Sequence, residues 1–551
     1  MPVRRFQLLS FEDIMLLRDD LLAQGSIHWL LARHGDLLFP RWVFEGWRSE
    51  SKIGRPGWPA ELLMGLLLLR YSEEGTSRVG SLRRAEHDAQ WRAALRLPWR
   101  EAPPDEKTMR EFEAFLKAPH PEAGEPRVLV LFEHWTRLAL DEGTVGEDIV
   151  PVIDSTPMWC FGAVLDTVNL LGEGLRSLGR RWARARGVPL EQVAAEWALP
   201  LLLAKSAKGH FEGTDWSDTE ARSRVLTELA ETVNRCVEQV THELDQVRQN
   251  KREPLAKRCQ TLLRVVSEDL TVDDEGRTVV VRRQTSERII SLTEPEAQHF
   301  RKSKSKVCSG FKLHVLGEAA SGLILALSVT PGGEHDATQA TPLIARAKAL
   351  LQDIEEVLAD SAYGRMPTRQ EVLKATGITL LAPPPSAGKS GELGKKDFDI
   401  DFDAMRATCP GGVATTIWKH TKSSGELVPT FCWPVGSEEA CQCRDECPVH
   451  RRHTTKKGRE CAPRRRLQLH PQEQELRELR AQWQTPDVRR RYRRRSQGER
   501  LIHQVTRRGG RQARAWGLAS AELQAYCIAA VNNLQLLAGR LAARGRQGAA
   551  A

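Results

Sequence analysis

Residues 310–329 read GFKLHVLGEAASGLILALSV, and this stretch limits the fold more than any other. Apolar and polar positions alternate on both sides of a turn near Glu318–Gly322, which predicts two consecutive strands. DATQATPLIARAKALL (336–351) then has a helical pattern, with Asp336 as the expected cap, and IEEVLAD (354–360) returns to a strand that ends in an acid. Upstream, the β-branched run DIVPVIDST (148–156) also ends in an acid, and RTVVVRR (277–283) resembles a short extra strand. The order strand, long insertion, strand, strand, helix, strand predicts a mixed α/β layer.

Helical patterns dominate the rest of the chain. Residues 1–145 are expected to be mostly helical, with Pro103-Pro104 as a break and Asp105 capping the helix that follows. Short helices around tight turns suit a helix-turn-helix module, and equally any small bundle. Within 160–270, Leu226, Leu229, Val233, Cys236, Val240, Leu244 and Val247 recur at steps of three and four, forming the packing face of an amphipathic helix. Residues 382–397 are linker-like. Their GKS is no phosphate loop, because Pro383 stands where the first glycine would be required. Residues 398–470 contain six cysteines and little periodicity, and helices are expected at about 471–508 and 520–543.

Charge is unevenly spread along the chain. The net charge is +9, yet residues 451–515 alone carry 21 Lys and Arg against 6 Asp and Glu. A basic excess confined to one region suits a polyanion-binding surface. The N-terminus MPVRRFQLLSFEDIM lacks the apolar core of a signal peptide, and LLMGLLLL (62–69) is too short to span a bilayer. A cytoplasmic, nucleoid-associated protein is therefore expected, with its eleven cysteines as thiols or metal ligands rather than disulfides.

Asp154 and Asp360 each close a predicted strand. Such a position is commonly a turn residue, but it is also where side chains converge into α/β sites, and paired acids suit divalent cations. Glu499 is the single acid in RRRYRRRSQGER (489–500), among seven arginines. On a continuous helix Tyr492, Arg495 and Glu499 would share one face, so the acid would hold metal while the arginines grip phosphate. Lys312 and His314, at alternate positions of one strand, would share one face at a sheet margin, exposed to solvent or to a polyanion. His335 and Asp336 would support the site, or cap a helix. Cys409, Cys441, Cys443 and Cys447 are candidate ligands for a structural zinc stapling a loop-rich segment, with free thiols as the alternative.

These residues resemble those of the DDE transposases of bacterial insertion sequences, in particular the branch with a Y-x2-R-x3-E-x6-K signature. VIDST is similar to the segment with the first acid, LADSAYG to the second, and YRRRSQGE to the third with its Tyr and Arg. RPGWPAELLMGLLLLRYSEEGTS, PDEKTMREF and GFKLHVLGEAASGLILALSVTPGGEHDATQ match as well. The signature lysine falls on Thr506, beside Arg507 and Arg508.

The resemblance implies an RNase H-like mixed sheet with flanking helices, accompanied by a helical N-terminal domain, a helical insertion and a cysteine-rich insertion. The corresponding boundaries are 1–145 for DNA binding, 146–159 with 275–382 for the catalytic core, and 160–274 for the helical insertion. Residues 383–470 would be linker and cysteine-rich insertion, and 471–545 the C-terminal helices that complete the core. It also implies that Asp154, Asp360 and Glu499 hold two Mg²⁺ ions, with Mn²⁺ as a substitute, and that Tyr492, Arg495, Arg507, Arg508 and Lys312 contact DNA. The implied partners are double-stranded DNA (terminal inverted repeats and target DNA) and further copies of the chain, as a homodimer or larger synaptic complex. An RNase H-like nuclease or recombinase that only cuts, and a catalytically inactive DNA-binding relative, are the alternatives.

Overall fold

The computed structural model describes residues 21–47, 57–281, 287–303, 305–386, 393–423, 425–434, 450–454 and 460–550. The chain divides into two compact units, Met1–Ile354 with Gln497–Ala551, and Glu355–Ser496.

The first unit begins with helices α1 (Ile27–Leu38), α2 (Ala60–Ser72), α3 (Arg78–His87), α4 (Ala89–Leu95), α5 (Glu106–Lys117) and α6 (Arg127–Asp141). Asp105 caps α5 as expected, its carboxylate accepting from Thr108 N–H at 2.7 Å. α2 is apolar on every side and is buried almost throughout, as such a helix must be. Opposite charges lock the bundle where it is polar: Glu113 accepts from Arg70 at 2.9 Å and from Arg78 at 2.6 Å.

β1 (Pro151–Trp159) follows, then helices α7 (Thr167–Arg186), α8 (Thr219–His242) and α9 (Gln249–Asp269). The stripe is buried on α8 from Leu226 to Val240 against α7 and α9, but the helix ends at His242, so half-buried Leu244 and buried Val247 lie beyond it in a 3₁₀ turn and its cap. β2 (Leu270–Val272) and β3 (Thr278–Val280) make a small hairpin, so the short strand expected near 277–283 is present.

The predicted strand pair is β5 (Val307–Glu318) and β6 (Leu323–Pro331). β5 lies between β1 and β6, antiparallel to both, and β4 (Gln298–Arg301) also pairs with β5. α10 (Ala340–Leu350) comes after β6. Its approach is a 3₁₀ turn, Asp336–Gln339, capped by His335 rather than by the expected Asp336.

α14 (Glu499–Val505) and α15 (Leu518–Ala550) complete this unit, and α15 packs on α1, α2, α5, α6 and β6. Asn533 of α15 is fully buried. It accepts from Ile324 N–H at 3.0 Å and donates to Ile324 C=O at 2.7 Å, so the start of β6 is satisfied without another strand.

In the second unit β7 (Glu356–Leu358) runs parallel to β8 (Thr379–Leu381), with α11 (Met366–Thr376) between them. The segment expected to lack regular structure instead forms strands: β9 (Asp399–Asp401), β10 (Arg406–Thr408), β11 (Ala414–Thr415), β12 (Trp418–Ser423), β13 (Glu426–Cys432), β14 (His450–Thr454) and β15 (Glu460–Gln468). Phe398, Phe431, Trp433 and Leu467 give these strands a core of their own.

The expected helix over 471–508 is broken. α12 (Glu473–Trp483) and α13 (Pro486–Arg493) are separated at Thr485-Pro486, and a 3₁₀ turn, Arg494–Gly498, precedes α14. Tyr492, Arg495 and Glu499 therefore stand on three successive elements rather than on one helical face. Antiparallel and parallel strands with flanking helices make the chain mixed α/β, consistent with an RNase H-like domain joined to helical regions. Among the described residues no helix is long and apolar enough to cross a membrane.

Candidate active site

Asp154 sits in the middle of β1, not at its end, because the strand continues to Trp159. Its Oδ1 accepts from the N–H of Ser155 at 2.8 Å. Strand alternation puts Val152, Asp154 and Thr156 on one face of the β1–β5 ladder, level with Gly317, Val315 and Leu313.

α14 packs on that face. A Cβ placed on Gly498 would lie 2.5 Å from Val152 Cγ1, so only glycine lets the backbone approach β1 this closely. Leu501, one turn further, packs on Gly317 and is 2% exposed, a burial that stabilises the contact by about 1.5–3 kcal/mol. The exposed Glu499 is thereby set at the start of α14, over the side of β1 that carries Asp154. The far end of α14 is tied to the N-terminal helices: Arg514 donates to Arg508 C=O at 2.8 Å and lies 5.2 Å from the Tyr71 ring centroid.

The other face of the ladder carries Ser155, His314 and Lys312. Lys312 donates to Asp336 Oδ1 at 2.6 Å and to Glu334 C=O at 2.7 Å, while Ser155 Oγ donates to Asp336 Oδ2 at 2.7 Å. Burial opposes ionisation of Asp336, but the bonds from Lys312 and Ser155 outweigh it and hold the carboxyl below its usual range. His314 is fully buried, shares a hydrogen bond with Thr330 at 2.9 Å, and is pushed down to about 4 by desolvation. Lys312, His314 and Asp336 thus form an internally neutralised cluster on the side of β1 away from Asp154. His335 serves as a helix cap.

In the second unit Asp360 follows β7 and caps the turn Ser361–Tyr363, accepting from Ala362 N–H at 2.8 Å. The tight path of LADSAYG is set by Gly364, where any Cβ would collide with Pro383 C=O, and by Arg369, which donates to Leu380 C=O at 2.7 Å. Tyr492 packs edge-on against Trp483, with ring centroids 4.7 Å apart.

Thr506 opens a π-turn, Thr506–Gly510. Arg507 is exposed there, whereas Arg508 is 4% exposed and donates to Gln504 C=O and Gln535. Burial pulls Arg508 down to about 10. Its guanidinium is turned into the protein, and Arg507 is the member of the pair that meets solvent.

Cys409 is buried in the small core with Phe398 and Phe431, where its sulfur accepts from Val413 N–H at 3.3 Å. Cys441, Cys443 and Cys447 lie outside the described residues.

Among the described residues no group of three or more His, Cys, Asp or Glu is gathered to hold a metal. The donor chemistry of Asp154 and Glu499 is nevertheless that of hard divalent cations, which prefer carboxylate oxygen.

Sequence reasoning missed two buried acids. Glu318, 1% exposed, accepts from the N–H groups of Val150, Ala320 and Ser321. Glu294 is fully buried and accepts from two glycines. Neither position has a local pattern that would betray the role, because the donors are backbone groups brought in by the fold.

Two family models match the chain: Transposase DDE domain over residues 278–534, and Transposase domain (DUF772) over residues 19–114. No curated protein and no solved structure matches. Asp360, Tyr492, Arg495 and Glu499 fall inside the first match. Asp154 lies between the two, separated from the DDE match by the helices α7 to α9.

Proposed function

We propose that this chain, a DDE transposase of an insertion sequence, takes its catalytic carboxylates from Asp154, Asp360 and Glu499. The observation that carries this reading is the glycine contact of Gly498 with Val152, which seats the Glu499 helix on the Asp154 face of β1. Asp360 joins them on its motif, LADSAYG, and on its place just beyond β7.

Mg²⁺ or Mn²⁺ held by these carboxylates would supply activation of the attacking hydroxyl and stabilisation of the departing oxygen of the phosphodiester. The chain's own residues have three tasks. The carboxylates provide the oxygen donors. Tyr492, Arg495 and Arg507 grip the DNA phosphates, arginine being favoured for its bidentate fork. Gly498 and Leu501 hold the third acid at a fixed height above the sheet. Lys312 is committed to Asp336 and belongs to the support of β1.

The proposed substrates are the terminal inverted repeats and a target duplex, bound by the N-terminal helices together with the basic 451–515 region. A dimer or larger assembly would bring two ends together. The test is cleavage and strand transfer on DNA carrying the element's ends. With Mg²⁺ the native chain nicks and joins these ends, whereas Asp154→Asn, Asp360→Asn and Glu499→Gln bind DNA but do not cut. Cutting without joining would indicate a nuclease. Binding without cutting by the native chain would indicate an inactive relative. Normal cleavage by Glu499→Gln would remove the assignment.

A further inference from the structure

Beyond Trp159 the chain emerges at the surface, where Phe161 is 50% exposed. The segment joining α14 to α15 runs alongside. Trp159 N–H donates to Arg511 C=O at 2.7 Å, and Ala513 N–H donates to Trp159 C=O at 2.9 Å. Trp516 on that segment is 61% exposed, its ring centroid 6.0 Å from that of Phe161 and inclined at 56°.

Both segments are pinned to a single carboxylate. Glu294, fully buried, accepts from Gly162 N–H and from Gly517 N–H, the latter at 3.1 Å. Each pinned residue directly follows one of the aromatics. Gly162 has no room for a side chain, since a Cβ would run into Thr293 and Ser291, and Gly517 adopts φ +87°. The two rings are thus fixed in solvent by a buried acid and two glycines. Exposed aromatic patches built this way mark contact surfaces.

The surroundings point to the partner. Lys306 lies 5.7 Å from the Trp159 ring centroid, and Arg301, Lys302, Lys306 and Arg511 are all exposed. Aromatic faces beside cations suit stacked nucleobases on a phosphate backbone, and stacking needs base faces that a closed duplex hides. We infer that Phe161 and Trp516 form a stacking platform for unpaired bases of a DNA strand, with the neighbouring Lys and Arg holding its phosphates. This platform presupposes that the chain handles DNA, as proposed above, but requires none of the three acids.

The full-length chain is titrated, in EDTA, with a short single-stranded oligonucleotide carrying one 2-aminopurine, and with the same oligonucleotide annealed to its complement. Working without divalent metal separates this test from any failure of the catalytic assignment. Stacking quenches the fluorescence of the single strand and leaves the duplex little changed. Trp516→Ala and Phe161→Ala each lose the quench and weaken single-strand binding roughly ten-fold, whereas Trp516→Phe keeps most of both. Unaltered single-strand binding by both alanine variants would overturn the platform. So would alanine variants that change only the sedimentation of the protein, since a second copy of the chain would then be what covers these rings.

Discussion

Asp154 and Ser155 are neighbours on β1, yet they look out on opposite sides of one ladder and meet different company. On the Ser155 side, Asp336 is matched by Lys312 and by the serine hydroxyl, His314 is buried among them, and the charges cancel inside the fold. On the Asp154 side, a glycine brings a helix start down onto the sheet, and its acid, Glu499, is left exposed. Asp336 is thus spent on partners within the protein, whereas Glu499 is presented outward by backbone packing.

That contrast breaks most visibly in activity. Asp154→Asn or Glu499→Gln should lower DNA cleavage by roughly 10³-fold, the several kcal/mol that metal-held charge contributes to such a transition state. The denaturation midpoint should stay in place. Loss of folding together with activity would place both acids with the supporting kind.

His314 sharpens the comparison through pH. Burial holds its folded pKa at about 4, against about 6.5 in the unfolded chain, with Asp336, Lys312 and Glu334 as its charged neighbours. As pH falls below 6.5 the unfolded chain takes up the proton first. Stability is therefore complete above that pH and is lost progressively down to about 4, by at most about 3 kcal/mol. His314→Gln should remove this component from a pH series of urea melts, and an unchanged slope would show the histidine is not buried in solution.

Asp336→Asn should cost about 1–3 kcal/mol by leaving the Lys312 ammonium poorly matched, with little direct effect on cutting per folded molecule. Smallest of all, Asp487→Ala should shift stability by less than about 0.5 kcal/mol. Its partners Arg490 and Arg491 are 76% and 43% exposed at the side chain, and such surface pairs are worth little. A large loss there would mean that the arginine-rich strip is ordered by its own ion pairs rather than kept open for phosphate.

The parts of the fold legible in the sequence are those where one local signal suffices. Alternation on either side of Glu318–Gly322 gave β5 and β6, and the apolar stripe from Leu226 to Val240 gave α8. Asp105 announced α5 as its cap. The strands between 399 and 468 were hidden because several are only two or three residues long, too short for a period to register. The break before Glu499 was hidden by an arginine run that would read equally well as helix. Asp336 looked like a cap because nothing local shows that Lys312, 24 residues earlier, has claimed its carboxylate. Of the candidate site, the three acids are proposed on their motifs. The glycine that seats one of them on β1 could not be read that way, since its reason for being glycine is Val152, some 350 residues away in the chain.

The long α15 carries a consequence in time. The ribosome makes the N-terminal helices and β6 well before it makes α15, the element they pack around. Until Asn533 has emerged, the backbone at Ile324 lacks its partner and the N-terminal bundle lacks its central rod. The N-terminal helices and the start of β6 can therefore reach their final packing only after α15 has left the ribosome.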